Sequence, residues 1–493
     1  MPRKPTKPRA AGSTKPKAGT SDFLSTGITS RRSYLWVPPP RDMRDDMSAA
    51  TRKEMVSKMR WGERNSGLVR QILGDLVTYS VGDGIKPQSH ASDPEVARRY
   101  EEYFADWSRR CEVTNRFSYW EAQRIAERAW SRDGDFFLVK VRDAQGRARV
   151  QLLEAHMVGD PVNPDERPEG MVDGIQFNSV GAVVGYCVYD RSPRGWRILP
   201  ASSVMHVHDA EHASGARGVP MLQHSWRDIQ DEMEILALEL SAVKDAAEVT
   251  RVLNRAGGEF GADLASELAS NDQAAYALGV GMGGKFLALN PGESLTSVQS
   301  NRPSPTFTGF LQAIQSDIAR GILPYEFTTD PTKGGSAGIR LVTAKADRTF
   351  SRHQTVLIER MCVGTWGWVI SDAIERGDLP DDPSWNKVSW TTPKRVTVDA
   401  GREAANDRAD VEMGLMSMSE LYSQRGMDFR EEMQKRAADM AFIIDLAKQA
   451  KIPAWMLYKP GFNWLQQGQA KEQTPPPVAE NMDLAEPPAE PNP

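Results

Sequence analysis

Apolar positions recur at helical spacing from Ser48 onward, through "AATRKEMVSKMRWGERNSGLVRQILGDLVTYSV", and the pattern stops at the Gly82-Asp83-Gly84 turn. Residues 93–132 keep that period and predict two more helices, with Trp107, Phe117, Trp120 and Trp130 as core anchors. The period then drops to two. "GDFFLVKVRDAQGRARVQLLEA" reads as two strands around an Ala-Gln-Gly turn, and "DGIQFNSVGAVVGYCVYDR" and "GWRILPASSVMHVHD" continue the alternation. Residues 50–215 are therefore expected to form an α+β unit with a helical start and an antiparallel sheet.

Pro220 opens the longest helical pattern, which runs to about Ala256. Ile229, Met233, Leu236, Leu240, Val243 and Ala247 alternate spacings of four and three, a seam suited to helix-on-helix packing. Such a rod would span roughly 50 Å at the rise of an α-helix. A loop-and-strand region (257–305) follows, then a shorter helix, "FTGFLQAIQSDIARGIL", stopped by Pro324. "YEFTTDPTKGGSAGIR" is rich in Gly and Thr with little to bury, and reads as a loop. A third helical stretch covers about Ile339 to Arg376. Two late helices carry capping-box signals at Ser417/Glu420 and Asp428/Glu431.

Composition narrows the classes. Apolar content of 40% and charged content of 26% are those of a folded protein. No stretch reaches the ~18 apolar residues of a membrane span, and no apolar signal core follows the basic N-terminus, so a cytosolic chain is expected. Three widely spaced cysteines (Cys111, Cys187, Cys362) form neither a disulfide framework nor a zinc module. The net charge of −5 conceals an asymmetry: residues 1–20 hold six Lys or Arg and no acid, diluted by Pro, Gly and Thr. Both that arm and the Pro- and Glu-rich stretch from Gly468 read as tails.

Four stretches could carry chemistry. "GVGMGGKF" matches a phosphate-binding loop at Gly279, Gly284 and Lys285, but Phe286 stands where a hydroxyl must hold Mg²⁺. It reads instead as a glycine-rich loop feeding a short strand, "FLAL". "HVHDAEH" would set His206 and His208 on one strand face, a workable metal pair. It is similar to the His-x-His-x-Asp-His of the metallo-β-lactamase fold, with Asp209, Glu211 and His212 out of register and His224 as the nearest further histidine. "SRDGDFF" offers Asp133 and Asp135 as a carboxylate pair, or more simply a helix-to-strand turn. Ser336 in "GGSAG" lacks the strand and helix of a nucleophile elbow. No catalytic residue, metal site or cofactor is expected.

The order of elements resembles the portal proteins of tailed bacteriophages, the lambda-type family in particular. The likeness rests on "ERNSGLVRQILGDLVTYSVGDGIKP", "RAWSRDGDFFLV", "QLLEAHMVGDP" with "DGIQFNSVGAVVGYCVYDR", "VMHVHDAEHASGARGVPMLQHSW", and "LPYEFTTD" with "SAGIRL". Ser66 stands where the family commonly has Pro. The resemblance covers about residues 30–450. It implies a largely helical α+β portal fold assembling into a ring, with a dodecamer the expected form, at one capsid vertex. In that frame 1–30 is a basic tail, 31–215 the wing, 216–256 the first stem helix, and 257–305 the clip with Gly279, Gly281, Gly284 and Lys285. Residues 306–324 become the second stem helix. Residues 325–340 become a DNA-facing tunnel loop with Thr329, Lys333, Gly334, Gly335 and Arg340. Residues 341–400 are the return helix and wing, 401–452 the crown, and 453–493 a tail. Implied partners are further copies of the chain, double-stranded DNA, the terminase large subunit, head-tail connector proteins, and major capsid and scaffold proteins. The implied location is the virion, with the host cytoplasm during assembly and no membrane. Acids on the long helix (Asp228, Asp231, Glu232, Glu234) would repel DNA if they faced it. A multi-helical adaptor without a channel, and a metallo-hydrolase built on His206, are the alternatives.

Overall fold

In the computed structural model of the chain, the described residues are 42–190, 192–247, 251–254, 286–289, 306–329, 335–398, 400–427, 429–453 and 457. They fall into two units divided at Asp428/Phe429.

The first unit begins with a one-turn helix α1 (Met43–Asp46) and the helical stretch expected from Ser48. That stretch is two helices. The Ser48 hydroxyl accepts from the Thr51 N–H to start α2 (Ala49–Asn65), and Ser66 both ends α2 and accepts from the Val69 N–H to start α3 (Gly67–Ser80). A short strand β1 (Lys86–Ser89) leads to α4 (Pro94–Ser108) and α5 (Tyr119–Asp133). Ser118 and Glu121 form a reciprocal capping box at the head of α5.

Strands β2 (Phe136–Arg142), β3 (Ala148–Glu154) and β8 (Val204–Val207) make an antiparallel sheet with β2 central. Strands β4 (Met171–Val172), β5 (Ile175–Phe177), β6 (Val183–Asp190) and β7 (Ser192–Pro200) make a second, a meander. Phe137, Val139, Leu153, Ile175, Tyr186, Val188 and Val204 form one core cluster drawn from both sheets. The opposite face of the first sheet, with Phe136, Leu138, Val150 and Val207, is buried in a further core.

The long helix α6 runs Trp226–Ala247, entered through a 3₁₀ turn at Gln223–Ser225. It is shorter than the pattern from Pro220 to Ala256 suggests, because Arg251–Asn254 is a strand, β9, paired in parallel with β10 (Phe286–Leu289). The expected "FLAL" strand is thus present. Ile229 is fully buried in the seam, whereas Leu236, Leu240 and Val243 are exposed. Helices α7 (Phe307–Ala319) and α8 (Tyr325–Thr328) follow. Helix α9 (Gly335–Leu357) then passes through a π-helical turn (Ile358–Cys362) into α10 (Val363–Glu375).

Two helical cores explain why the α+β unit does not close at residue 215. One joins Tyr100, Phe104, Tyr119 and Trp130 to Met361, Trp366 and Ile370; the other joins Ile72, Leu73 and Leu76 to Ile229, Ile318 and Phe350. Each such side chain contributes roughly 1.5–3 kcal/mol on burial, so α9 and α10 are integral to the body. Trp130 is fully buried as expected, Trp107 and Trp120 are partly so, and Tyr119 and Phe104 are fully buried anchors that the sequence pattern did not single out. Strand β11 (Val388–Thr391) returns to pair antiparallel with β1. Helices α11 (Ala400–Glu412) and α12 (Met418–Gln424) complete the unit, α12 capped by the Ser417 hydroxyl accepting from the Glu420 N–H. Asp428 lies outside the described residues. The second unit holds α13 (Phe429–Ala450).

Candidate functional site

The Asp-Gly-Asp turn ends α5 and begins β2. Gly134 takes the left-handed conformation (φ 91°) and donates to the Trp130 carbonyl, which stops the helix and turns the chain into the sheet. Asp135 emerges fully buried at the head of β2. It is not a simple surface turn residue. Its carboxylate accepts from His206 Nε2 (2.7 Å), from Arg217 Nε (2.8 Å) and from the Gly218 N–H (2.7 Å).

Arg217 spends its remaining donors on the carbonyls of Val158 (3.1 Å), Asp173 (2.9 Å) and Ala155 (3.0 Å). Arg52, from α2, binds the Asp173 carboxylate and reaches the same Ala155 and Val158 carbonyls. Two guanidinium groups therefore share one carbonyl turn, and two carboxylates balance them. All four charged groups are buried. Such a set is tolerable in a dry interior only because nearly every lone pair and proton has a partner.

The backbone closes over this network at two glycine pairs. A Cβ on Gly218 would lie 1.9 Å from the Gly134 carbonyl oxygen, and one on Gly134 would lie 2.4 Å from the Gly218 oxygen. A Cβ on Gly174 would lie 2.5 Å from the Gly159 nitrogen. The "D-G-D" and "R-G-V-P" stretches, far apart in the chain, are thus two halves of one joint. That joint fixes the point at which the chain leaves the sheets for α6.

The expected His pair does share a face: the rings of His206 and His208 stack at 3.9 Å, and His206 stacks on Phe137 at 4.4 Å. Burial, reinforced by His208, depresses the His206 pKa to about 3 despite the Asp135 hydrogen bond, and burial lowers that of His208. Burial pushes the Asp135 carboxyl up, but Arg217 and His206 outweigh it and hold it well below the usual carboxylate range. Ligand atoms of Asp135, His206 and His208 lie within 4.8 Å of one another, close enough for a metal. The chemistry does not suit one. Three N–H groups already occupy the Asp135 oxygens, and the Arg217 guanidinium would adjoin any cation placed there. The other sequence candidates are dispersed: Asp209 pairs with Arg352 (2.5 Å), Glu211 and His212 are exposed, and His224 bonds the Met221 and Arg320 carbonyls.

Asp133 is likewise buried, held by Arg60 and Arg132, with Glu63 bridging Arg128 and Arg132. Nearby, Glu127 accepts from Trp130 Nε1 and Ser131 and pairs with His353 (2.6 Å), tying α5 to α9. Sequence reading missed Arg52, Glu127, Asp173, Arg217 and His353. Only the glycines flanking Asp135 and Arg217 signalled the joint.

Of the loop residues, Thr329 donates its hydroxyl to the Tyr325 carbonyl (2.8 Å). Residues 330–334, with Lys333 and Gly334, lie outside the described residues, as do Gly279, Gly281, Gly284 and Lys285. Gly335 opens α9 with φ 60°, and Arg340 is exposed on its second turn. The loop expected through residue 340 therefore ends by 335. Ala337, Ile339, Arg340 and Leu341 sustain the helix around Gly338, whose missing side chain costs about 1 kcal/mol against Ala without breaking it.

These features define a helix-rich α+β body organised around a buried joint. The chain belongs to the lambda family of phage portal proteins, whose family model matches residues 29–354. Among solved structures it is similar to chains from the neck of an empty GTA particle computed with C6 symmetry (15% identity, 76% of this chain and 94% of that one, TM-score 0.45) and of a native GTA particle computed with C12 symmetry (16%, 76% and 94%, 0.46). A third is from the virion of a native gene transfer agent particle (15%, 79% and 95%, 0.45). No curated protein matches the chain.

Proposed function

We propose that the chain is the subunit of a closed ring at one capsid vertex, through which viral DNA is packaged and ejected. The observation that carries this is membership of the portal family over residues 29–354, a span that includes both halves of the joint. In this reading the sheets and α2–α5 form the wing, α6 and α7 the stem, and 257–305 the clip that receives the terminase large subunit and later the head-tail connector. Within the stretch 325–340, Thr329, Lys333, Gly334, Gly335 and Arg340 meet DNA, and α11–α13 belong to the crown. The protein acts by shape and needs no catalytic residue or cofactor.

A channel must let the duplex slide, and strong phosphate contacts would act as a brake. A single lysine, Lys333, in the short loop and a net charge of −5 on the chain suit passage. Exposed Leu236, Leu238, Leu240 and Val243 on α6 support assembly, because a monomer would leave them in water. Head-to-tail contacts that return on themselves close a ring. Electron microscopy of negatively stained purified protein should show rings with a central hole. Monodisperse monomers at micromolar concentration would leave an adaptor as the better reading. Deleting residues 330–334 should spare ring formation and reduce the DNA packaged per particle; full-length genomes at normal yield would remove the loop from the channel.

A further inference from the structure

We propose that one stripe of α6 docks antiparallel onto one stripe of α9 of the next copy, and that this contact joins neighbours in the ring. The proposal rests on the ring reading above and names the surface that would build it.

Both helices have a buried face and a bare one. On α6 the buried side holds Ile229, Glu232 and Glu239, and Glu232 accepts from Gln315 of α7 (2.7 Å). Glu232 is therefore turned away from Asp231 and Glu234. The opposite side carries Asp231, Glu234 and Leu238, all exposed, Leu238 at 61%. On α9 the buried side holds Thr343, Ala346, Phe350, His353 and Leu357. Its opposite side carries Leu341, Lys345 and Arg348, again all exposed, Leu341 at 59%. Among the described residues, none of Asp231, Glu234, Lys345 and Arg348 forms an ion pair or a side-chain hydrogen bond. Arg352, next along the stripe, is engaged by Asp209.

The two stripes match in charge and in spacing. Along α6 the order is acid, acid three residues later, leucine four later. Read backwards, α9 gives base, base three earlier, leucine four earlier. Laid antiparallel, Asp231 meets Arg348, Glu234 meets Lys345 and Leu238 meets Leu341, in one register over about 10 Å of helix. One step further, Ser241 meets Gly338, and a Cβ on Gly338 would touch nothing within 4 Å in its own chain. Small residues there let the helices approach. A parallel arrangement sets leucine against arginine. The two surfaces differ, so the contact is head-to-tail, as a ring requires.

Charge reversal tests this. One variant combines Asp231→Lys with Glu234→Lys; the other combines Lys345→Glu with Arg348→Glu. All four side chains are exposed, so both variants should keep wild-type helix content by circular dichroism. In light scattering the wild-type chain should run as a ring and each variant alone as a monomer. An equimolar mixture should restore rings, because each reversed stripe then faces its complement and the two variants alternate. Leu238→Cys with Leu341→Cys should give disulfide-linked ladders on oxidation. A wild-type ring that either variant also forms, or that the mixture fails to restore, overturns the proposed contact and leaves the ring standing. A wild-type chain that runs as a monomer, together with a cysteine variant that yields no ladder, overturns the ring reading itself.

Discussion

Replacing Arg217 by Met isolates the energetic weight of the buried joint. Met keeps most of the stem's bulk, so little cavity forms, but four hydrogen bonds disappear: one to Asp135 and three to the carbonyls of Val158, Asp173 and Ala155. Arg52 still serves Ala155 and Val158, so the main loss falls on Asp135, fully buried and left with His206 and the Gly218 N–H. Removing one partner of a buried ion pair costs about 3–5 kcal/mol, because the other charge stays in a dry site. Against a total stability on the order of 5–15 kcal/mol, that is a large fraction. Urea unfolding followed by tryptophan fluorescence should show the midpoint falling at unchanged slope. Adding Asp135→Asn removes the orphaned charge while keeping an acceptor for His206 and Gly218, and should return the loss to about 1–2 kcal/mol. A single variant within about 1 kcal/mol of wild type, or a double variant no better than the single, would refute the claim that Arg217 neutralises Asp135.

Gly218→Ala should cost about 3 kcal/mol or more and yield largely insoluble protein, since its Cβ would sit 1.9 Å from the Gly134 oxygen; soluble protein with a wild-type melting temperature would contradict this. Acid should destabilise the fold below the ordinary histidine pKa of about 6.5. His206 is held near 3 when folded, so between these values the unfolded chain binds the extra proton and stability falls as pH falls. The cost is about 1 kcal/mol from His206 at pH 5.5, and thermal melts of His206→Gln should lose that part of the slope. Asp135, also depressed, adds to the same trend only below the ordinary aspartate range. Burial raises Cys111 and Cys362 to about 12 and Cys187 to about 11, so no thiol should react with an aromatic disulfide reagent at pH 8 until the chain unfolds; rapid stoichiometric labelling of native protein would show otherwise.

The sequence made local structure legible and long-range polar structure almost invisible. The apolar β-branched and aromatic runs "FFLVKV" and "RVQLLE" marked β2 and β3, and β2 is dry on both faces, with Phe136 and Leu138 in one core and Phe137 and Val139 in another. The break at Ser66 was harder, since an N-cap inside an unbroken apolar period leaves the period intact. The overlong reading of α6 failed where Arg-Val-Leu-Asn, apolar at two adjacent positions, fits helix or strand equally. At residues 335–340 the glycines point to a loop, but Ala337, Arg340 and Leu341 favour the helix that forms. The joint draws on Arg52, Asp135, Asp173 and Arg217, spread over much of the body, and nothing in a lone arginine or aspartate announces burial. Glycines at 134 and 218 were visible as motif letters, but their contact is a tertiary fact. Of the proposed DNA-facing residues, Thr329 caps the end of α8, and Gly335 and Arg340 lie in α9.

The two glycine pairs leave this region without conservative mutational exits. A crowded valine can be relieved by trimming its neighbour, so its history can wander through compensated intermediates. At Gly134 and Gly218 the neighbour is already hydrogen and backbone, and no partner substitution can make room. A Cβ on Gly174 would likewise meet the Gly159 backbone, whereas one on Gly159 would meet the Tyr189 side chain, which a smaller residue could relieve. Random mutagenesis followed by selection for assembled particles should therefore recover intragenic suppressors for Arg217 or Asp135 variants, yet none for alanine at Gly134, Gly174 or Gly218 short of reversion. For sequence drift in this lineage, those positions act as fixed points around which the charged network can be rewritten.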